Sequence, residues 1–162
     1  MAALSKLAPA VLTAAALLLS ACQGDVVYSH YEQMPPAGWE KSEAVSFSMP
    51  RSKEQGTFSP SLGLCINSDF PFQSITVVVE RQLITHGPSR PMPTERDTVC
   101  CRLYDANGHP TGSGISQYQY VFPLRDISIS SGDSLAVSIS HDMRRQILHG
   151  IVNIGLTLTR QP

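Results

Sequence analysis

This sequence predicts an all-β fold, a single β-sandwich of jelly-roll or immunoglobulin-like kind. Apolar residues recur at every second position in about eight short runs, the period of strands buried on one face. Gly, Pro, Asn, Asp and Ser separate the runs at short intervals. Nothing holds the roughly 3.6-residue apolar period for long enough to make a helix of ordinary length.

The first stretch is of another kind. Lys6 precedes an apolar run over residues 7–19, broken only by Pro9 and Thr13. That is signal-peptide length and too short for a membrane span. Leu19-Ser20-Ala21-Cys22 follows, with small residues directly ahead of a cysteine. These residues resemble the lipobox of bacterial lipoproteins, so residues 1–21 are expected to be removed. Cys22 then becomes the new N-terminus and carries a diacylglycerol and an N-acyl chain. A plain secretory signal would be cut nearby, but only lipidation needs a cysteine here. Buried acyl carbon contributes about 0.8 kcal/mol per methylene and stable anchoring takes two chains, so the lipid would hold the protein at a bilayer without crossing it.

Residues 22–31 read as a brief tether running into a first extended segment, which keeps the domain, 32–162, close to the membrane. Pro35, Pro36 and Gly38 exclude a regular element over 32–43 and leave the only tryptophan, Trp39, in a loop. Val45, Phe47 and Met49 then alternate with serines as in a half-buried strand, and 50–58 is polar and loop-like. Leu62, Leu64 and Ile66 alternate with Ser61, Gly63 and Cys65, which turns Cys65 away from the apolar face. The run 75–85, rich in β-branched residues and apolar on both faces, is expected to be a central strand. In 94–104, Val99, Cys101 and Leu103 share one face and Cys100 the other.

Asp105-Ala106-Asn107-Gly108 is turn chemistry. It also resembles the start of a calcium loop, but the later acidic ligand is missing. Tyr118, Tyr120 and Phe122 alternate as on a strand. Residues 126–141 read as a hairpin about Ser131-Gly132-Asp133, and Asp142 is placed to cap a short helical piece reaching Leu148. Val152, Ile154, Leu156 and Leu158 line the last strand.

The formal net charge is −1, without a basic run, which argues against nucleic acid as a partner. With Cys22 acylated, three cysteines remain, so at least one thiol is unpaired. Adjacent Cys100 and Cys101 make a strained pair, and parity instead points to a Cys65–Cys100 disulfide with Cys101 reduced and buried. No closely spaced Cys/His pairs suggest a metal, and no cofactor is expected beyond the lipid on Cys22. Ser140-His141-Asp142 spells a hydrolase triad, but strand neighbours face opposite ways and cannot form the relay. No enzyme activity is expected. Tyr118, Tyr120 and Phe122 serve a core more readily than a sugar-stacking platform.

Five sets of residues together resemble the gliding-motility lipoprotein GldH family of Bacteroidota. They are Tyr28-Ser29-His30-Tyr31 with Gly38-Trp39-Glu40-Lys41 and Val45-Ser46-Phe47, the segment from Ile66 to Phe72, Asp97-Thr98-Val99 onward to Gly114, Ser138 to Arg144, and Gly150-Ile151. The resemblance implies a β-sandwich lipoprotein of the outer-membrane envelope, associated with gliding machinery, and it brings no catalytic motif. The expectation is a lipid-anchored, non-enzymatic component that binds other envelope proteins through Trp39 and the Met143, Arg144, Arg145 corner. A periplasmic and a cell-surface placement both fit these residues. The alternative is a glycan-binding module at the cell surface stacking sugars on Tyr118, Tyr120 or Trp39.

Overall fold

A computed structural model describes residues 25–85 and 92–162. The signal peptide and Cys22 lie outside the described residues. Within them the chain forms twelve strands and no helix: β1 (Val26–Gln33), β2 (Trp39–Glu40), β3 (Val45–Met49), β4 (Gly56–Asn67), β5 (Ser74–Ile84), β6 (Glu95–Arg102), β7 (Ser113–Gly114), β8 (Gln117–Pro123), β9 (Ile127–Ile129), β10 (Ser134–His141), β11 (Ile147–Leu148) and β12 (Ile151–Arg160).

Two antiparallel sheets face each other. One runs β1-β12-β4-β8-β7 with β9 also on β4, and the other runs β3-β10-β5-β6. The first strand pairs with the last, and among the longer strands the chain changes sheet at every step except from β5 to β6. An immunoglobulin-like sandwich instead keeps its first two strands side by side in one sheet. Of the two sandwich kinds, the connectivity is therefore that of a jelly roll.

The core follows strand parity. Leu62, Leu64 and Ile66 of β4 and Ile154, Leu156 and Leu158 of β12 meet Ile75, Val77 and Val79 of β5 and Leu135, Val137 and Ile139 of β10, all buried. β5 pairs on both sides, as its two apolar faces require. The first extended segment is integral to the sheet: β1 hydrogen-bonds along β12 from Val26↔Thr159 to Gln33↔Asn153.

Local expectations are corrected at three places. The polar stretch 50–58 does not stay a loop to its end, because buried Phe58 starts β4 early, between Arg160 and Ile127. Residues 126–141 do not form a hairpin. β9 pairs with β4 and β10 with β3 and β5, so 130–133 is a corner between sheets. There the Gly132 N–H donates to the Ser52 carbonyl (2.7 Å) and the Ser52 N–H to the Asp133 carbonyl (2.7 Å). The helical piece expected after Asp142 is absent because other partners take its amides. Asp142 N–H bonds the Thr76 carbonyl at 2.8 Å, and residues 147–148 pair with β2.

The disulfide expectation is also overturned. Cys65 lies on β4 and Cys100 on β6, in different sheets, and both are free thiols. Cys65 does face outward, yet it is buried, with Sγ donating to Gln117 Oε1 at 3.8 Å. Cys101 points into the core, where burial pushes its thiol up to about 12, with Cys100 beside it adding to the shift.

Strand directions define two ends. One holds the start of β1, the corner at 130–133, the end of β5, the start of β6 and the C-terminus. The other gathers the loops 34–44, 67–73, 103–116 and 142–150.

Candidate functional site

The loop end is built on Trp39. The two-residue ladder of β2 with β11 sets Trp39 opposite Leu148, and its side chain is fully buried. Its indole N–H donates to the Glu43 carbonyl at 2.9 Å, which satisfies the one polar atom of the ring. Gly38 and Gly150 flank this ladder with φ of 104° and 83°, a region that side chains rarely adopt. A Cβ on Gly150 would also run into the backbone of Phe70.

His141 ends β10 at inward parity and packs edge-on against Trp39, ring centroids 5.0 Å apart. Its Nε2–H donates to the Trp39 carbonyl (3.2 Å), and the Met143 N–H donates to Nδ1 (3.4 Å). Both bonds together require the neutral ring with the proton on Nε2. Burial is the main cause that lowers its pKa and nearby Lys41 adds to it, while the Trp39 carbonyl and Asp142 pull the other way.

Above this pair runs 142–147. Lys41 Nζ donates to the Met143 carbonyl (2.8 Å), and Lys41 N–H donates to the Gln146 carbonyl (2.7 Å). The Met143 side chain turns inward, and its Sδ accepts the Thr76 N–H at 3.4 Å. Arg144, Arg145, Gln146 and Ile147 are left exposed on a backbone tied at both ends. The Arg145 guanidinium lies 5.6 Å from the Phe72 ring centroid, a cation–π contact that steadies it.

Four residues were expected to form a surface here, and the structure brings them to one corner with divided roles. Arg144 and Arg145 face solvent and Met143 is half-buried. Trp39 is corrected from contact residue to scaffold, because a fully buried ring touches no partner. His141 and Lys41 are the supporting residues that sequence reasoning did not single out as a site. The parity of Leu135, Val137 and Ile139 carries on to His141 and was the available signal.

Protonating His141 should loosen this corner. Its folded pKa lies below the unfolded value of about 6.5, so the unfolded chain binds the proton first as pH falls. The stability that the neutral ring contributes is complete above about pH 6.5 and is lost as pH drops through the folded pKa. Urea melts from about pH 7.5 to about pH 5 should show a decline that is shallower in His141→Phe.

The aromatic run of β8 is core. Tyr120 is buried with its hydroxyl donating to the Leu103 carbonyl (2.7 Å), and it stacks with Phe122 at 6.1 Å. Tyr118 and Phe122 pack half-buried beside it. The Asp105 carboxylate accepts the N–H groups of Asn107 and His109, as a turn aspartate does. Among the described residues no three His, Cys, Asp or Glu side chains gather to hold a metal.

Among solved structures, the chain is similar to Eiger TNF from S. frugiperda, with 12% identity, 86% of this chain and 94% of that chain covered, and a TM-score of 0.26. A superposition that loose says nothing about function. No curated protein matches the sequence. The model of the GldH lipoprotein family matches residues 26–158, from the first strand to the last, and the chain belongs to that family.

Proposed function

We propose that this protein is a lipid-anchored, non-enzymatic component of the outer-membrane envelope that serves gliding-related machinery by holding a partner protein at its 142–147 loop. Membership of a lipoprotein family places it with the cell envelope. The reading adds Cys22 as the acylated residue, the outer membrane as the site and protein contact as the task. One observation carries it: two exposed arginines on a loop clamped from below by buried Trp39 and His141, at the end of the sandwich opposite the start of β1. Arginine beside apolar Phe72 and Ile147 is the composition of interface hot spots. His141 spends both ring nitrogens on the backbone, on the Trp39 carbonyl and the Met143 amide, which leaves neither free for proton transfer to a substrate.

The glycan alternative loses its residues, since Tyr120 and Trp39 are buried and Tyr118 packs against the core. The test is cross-linking with mass spectrometry in native envelopes. Arg144→Ala with Arg145→Ala should remove the cross-links of this corner, while melting shifts by no more than about 0.5 kcal/mol, as for surface changes. Unchanged cross-links would refute the role of the loop. In Cys22→Ser the protein should leave the membrane fraction.

A further inference from the structure

The end of the sandwich opposite the loop cluster carries an apolar rim. Val26, Val27, Ile84 and Met92 are exposed there, at 59, 38, 48 and 47%. They are half of the large apolar side chains exposed among the described residues. Val26 and Val27 open the edge strand β1, Ile84 closes β5, and Met92 leads into β6. Beside Met92 opens a cavity of about 210 Å³ whose apolar lining includes Leu83, Pro93 and Ile127. Of the charges nearby, Arg160 pairs with Glu54 at 2.8 Å and Arg125 with Asp97 at 3.0 Å, while Arg51 and Lys53, beside the 130–133 corner, are exposed.

We propose that this rim is a membrane-contacting surface, seated in the headgroup region of the bilayer that holds the lipid on Cys22, so that the domain stands on this end. The inference rests on Cys22 being acylated. Four residue steps separate Cys22 from Val26, a reach of roughly 14 Å when fully extended. The ten residues of β12 span roughly 33 Å between the two ends. The tether is too short to bring the loop end to the bilayer while Val26 stays near it. Two orientations remain, standing on the rim or lying on the outer face of the larger sheet. Val26, opposite Thr159, borders that outer face at the rim itself; beyond it the face offers mostly Ser, Thr, Gly, Asn and Gln, with Tyr31 and Val121 as its exposed large apolar side chains. The rim concentrates aliphatic side chains, and the acyl anchor, more than Arg51 and Lys53, supplies the binding, so shallow insertion makes no strong demand for anionic lipid. Standing on the rim, the protein carries Arg144 and Arg145 away from the membrane, where a partner can reach them.

The experiment places single tryptophan reporters in the full-length lipidated protein: Ile84→Trp, Met92→Trp, Val121→Trp and Ile147→Trp. Trp39, being buried, supplies a constant background. Proteoliposomes of phosphatidylethanolamine and phosphatidylglycerol are prepared with and without brominated acyl chains. The reporters at 84 and 92 should shift to the blue and lose most of their emission to bromine, while those at 121 and 147 stay as in buffer. Replacing phosphatidylglycerol by phosphatidylcholine should leave this pattern unchanged. Quenching at 121 with none at 84 and 92 would mean that the domain lies on its sheet and would overturn the proposal, as would quenching at none of the four. Flotation separates the two levels: protein that fails to float defeats the acylation reading and this inference with it. Protein that floats with 84 and 92 unquenched defeats the inference alone.

Discussion

Trp39→Ala should cost about 3–5 kcal/mol of folding stability, the range for deleting a large aromatic from a well-packed core. The ring is fully buried, its N–H is satisfied by Glu43, and its carbonyl holds His141. Alanine keeps the carbonyl but opens a cavity beneath 142–147 and removes the wall against which His141 packs. The short β2–β11 ladder joins only Glu40 to Ile147 and Trp39 to Leu148, too little to survive without the side chain it encloses. Circular dichroism in urea measures the loss, because the variant has no tryptophan left to report by fluorescence. A loss below about 1 kcal/mol would mean that the corner is held by Lys41 and Met143 instead. The same variant should also lose partner cross-links, with lowered stability, whereas the double arginine change loses them at full stability. That contrast separates scaffold from contact surface.

Much of this molecule was legible in the sequence because strand parity is a local signal. The period of two assigned the inward faces of β4 and β10, and of β12 except at Val152, where a register shift puts Ile151 in the core instead, and it put Cys101 inside and Cys100 outside. Which strands lie side by side is not local. Ile127 and Ile129 alternate as a hairpin strand would, yet they add to β4, and nothing within 126–141 records that choice. The proposed Cys65–Cys100 pair failed for the same reason: parity was right and adjacency was wrong. Trp39 misled differently. Pro35, Pro36 and Gly38 do break the chain, but the region expected to hold no regular element, 32–43, takes in the end of β1 and all of β2, and pairing with β11 buries its aromatic as thoroughly as a longer strand would. Arg81 went unnoticed inside an apolar run, although it continues the inward parity of Ile75, Val77 and Val79.

Arg81→Ala should also be severe, about 2–4 kcal/mol, for the emptied space of a buried side chain and its lost hydrogen bonds, since the carboxylates left behind, Asp97 at 22% and Glu95 at 56% exposure, stay solvated. Arg81 is 2% exposed near the end of a central strand. One guanidinium nitrogen donates to the Arg125 carbonyl of the facing layer (2.6 Å), and another reaches both Asp97 (2.7 Å) and Glu95 (3.0 Å) on β6. It therefore joins the two sheets where Leu124 to Asp126 carry the chain from β8 to β9. Pro60 sits in the gap between the β4–β8 and β4–β9 pairings, where its carbonyl accepts the Leu124 N–H at 2.9 Å, while the pairing with β12 runs on through Leu158. Alanine leaves the Arg125 carbonyl without its donor, opens the space of a long side chain and strips Asp97 of one of its two arginines. Arg81→Met tests which loss dominates. It fills most of the volume, so a cost near that of alanine assigns the effect to the polar ties and a much smaller one to packing. The polar ties should prevail, because the guanidinium donates to Arg125, Glu95 and Asp97, while the Nε, buried without a partner, is a cost of about 1–3 kcal/mol that methionine removes. Adding Asp97→Asn to Arg81→Met should then cost less than the two single changes summed, since both break the same ion pair. Strict additivity in urea melts would show that the two residues act independently.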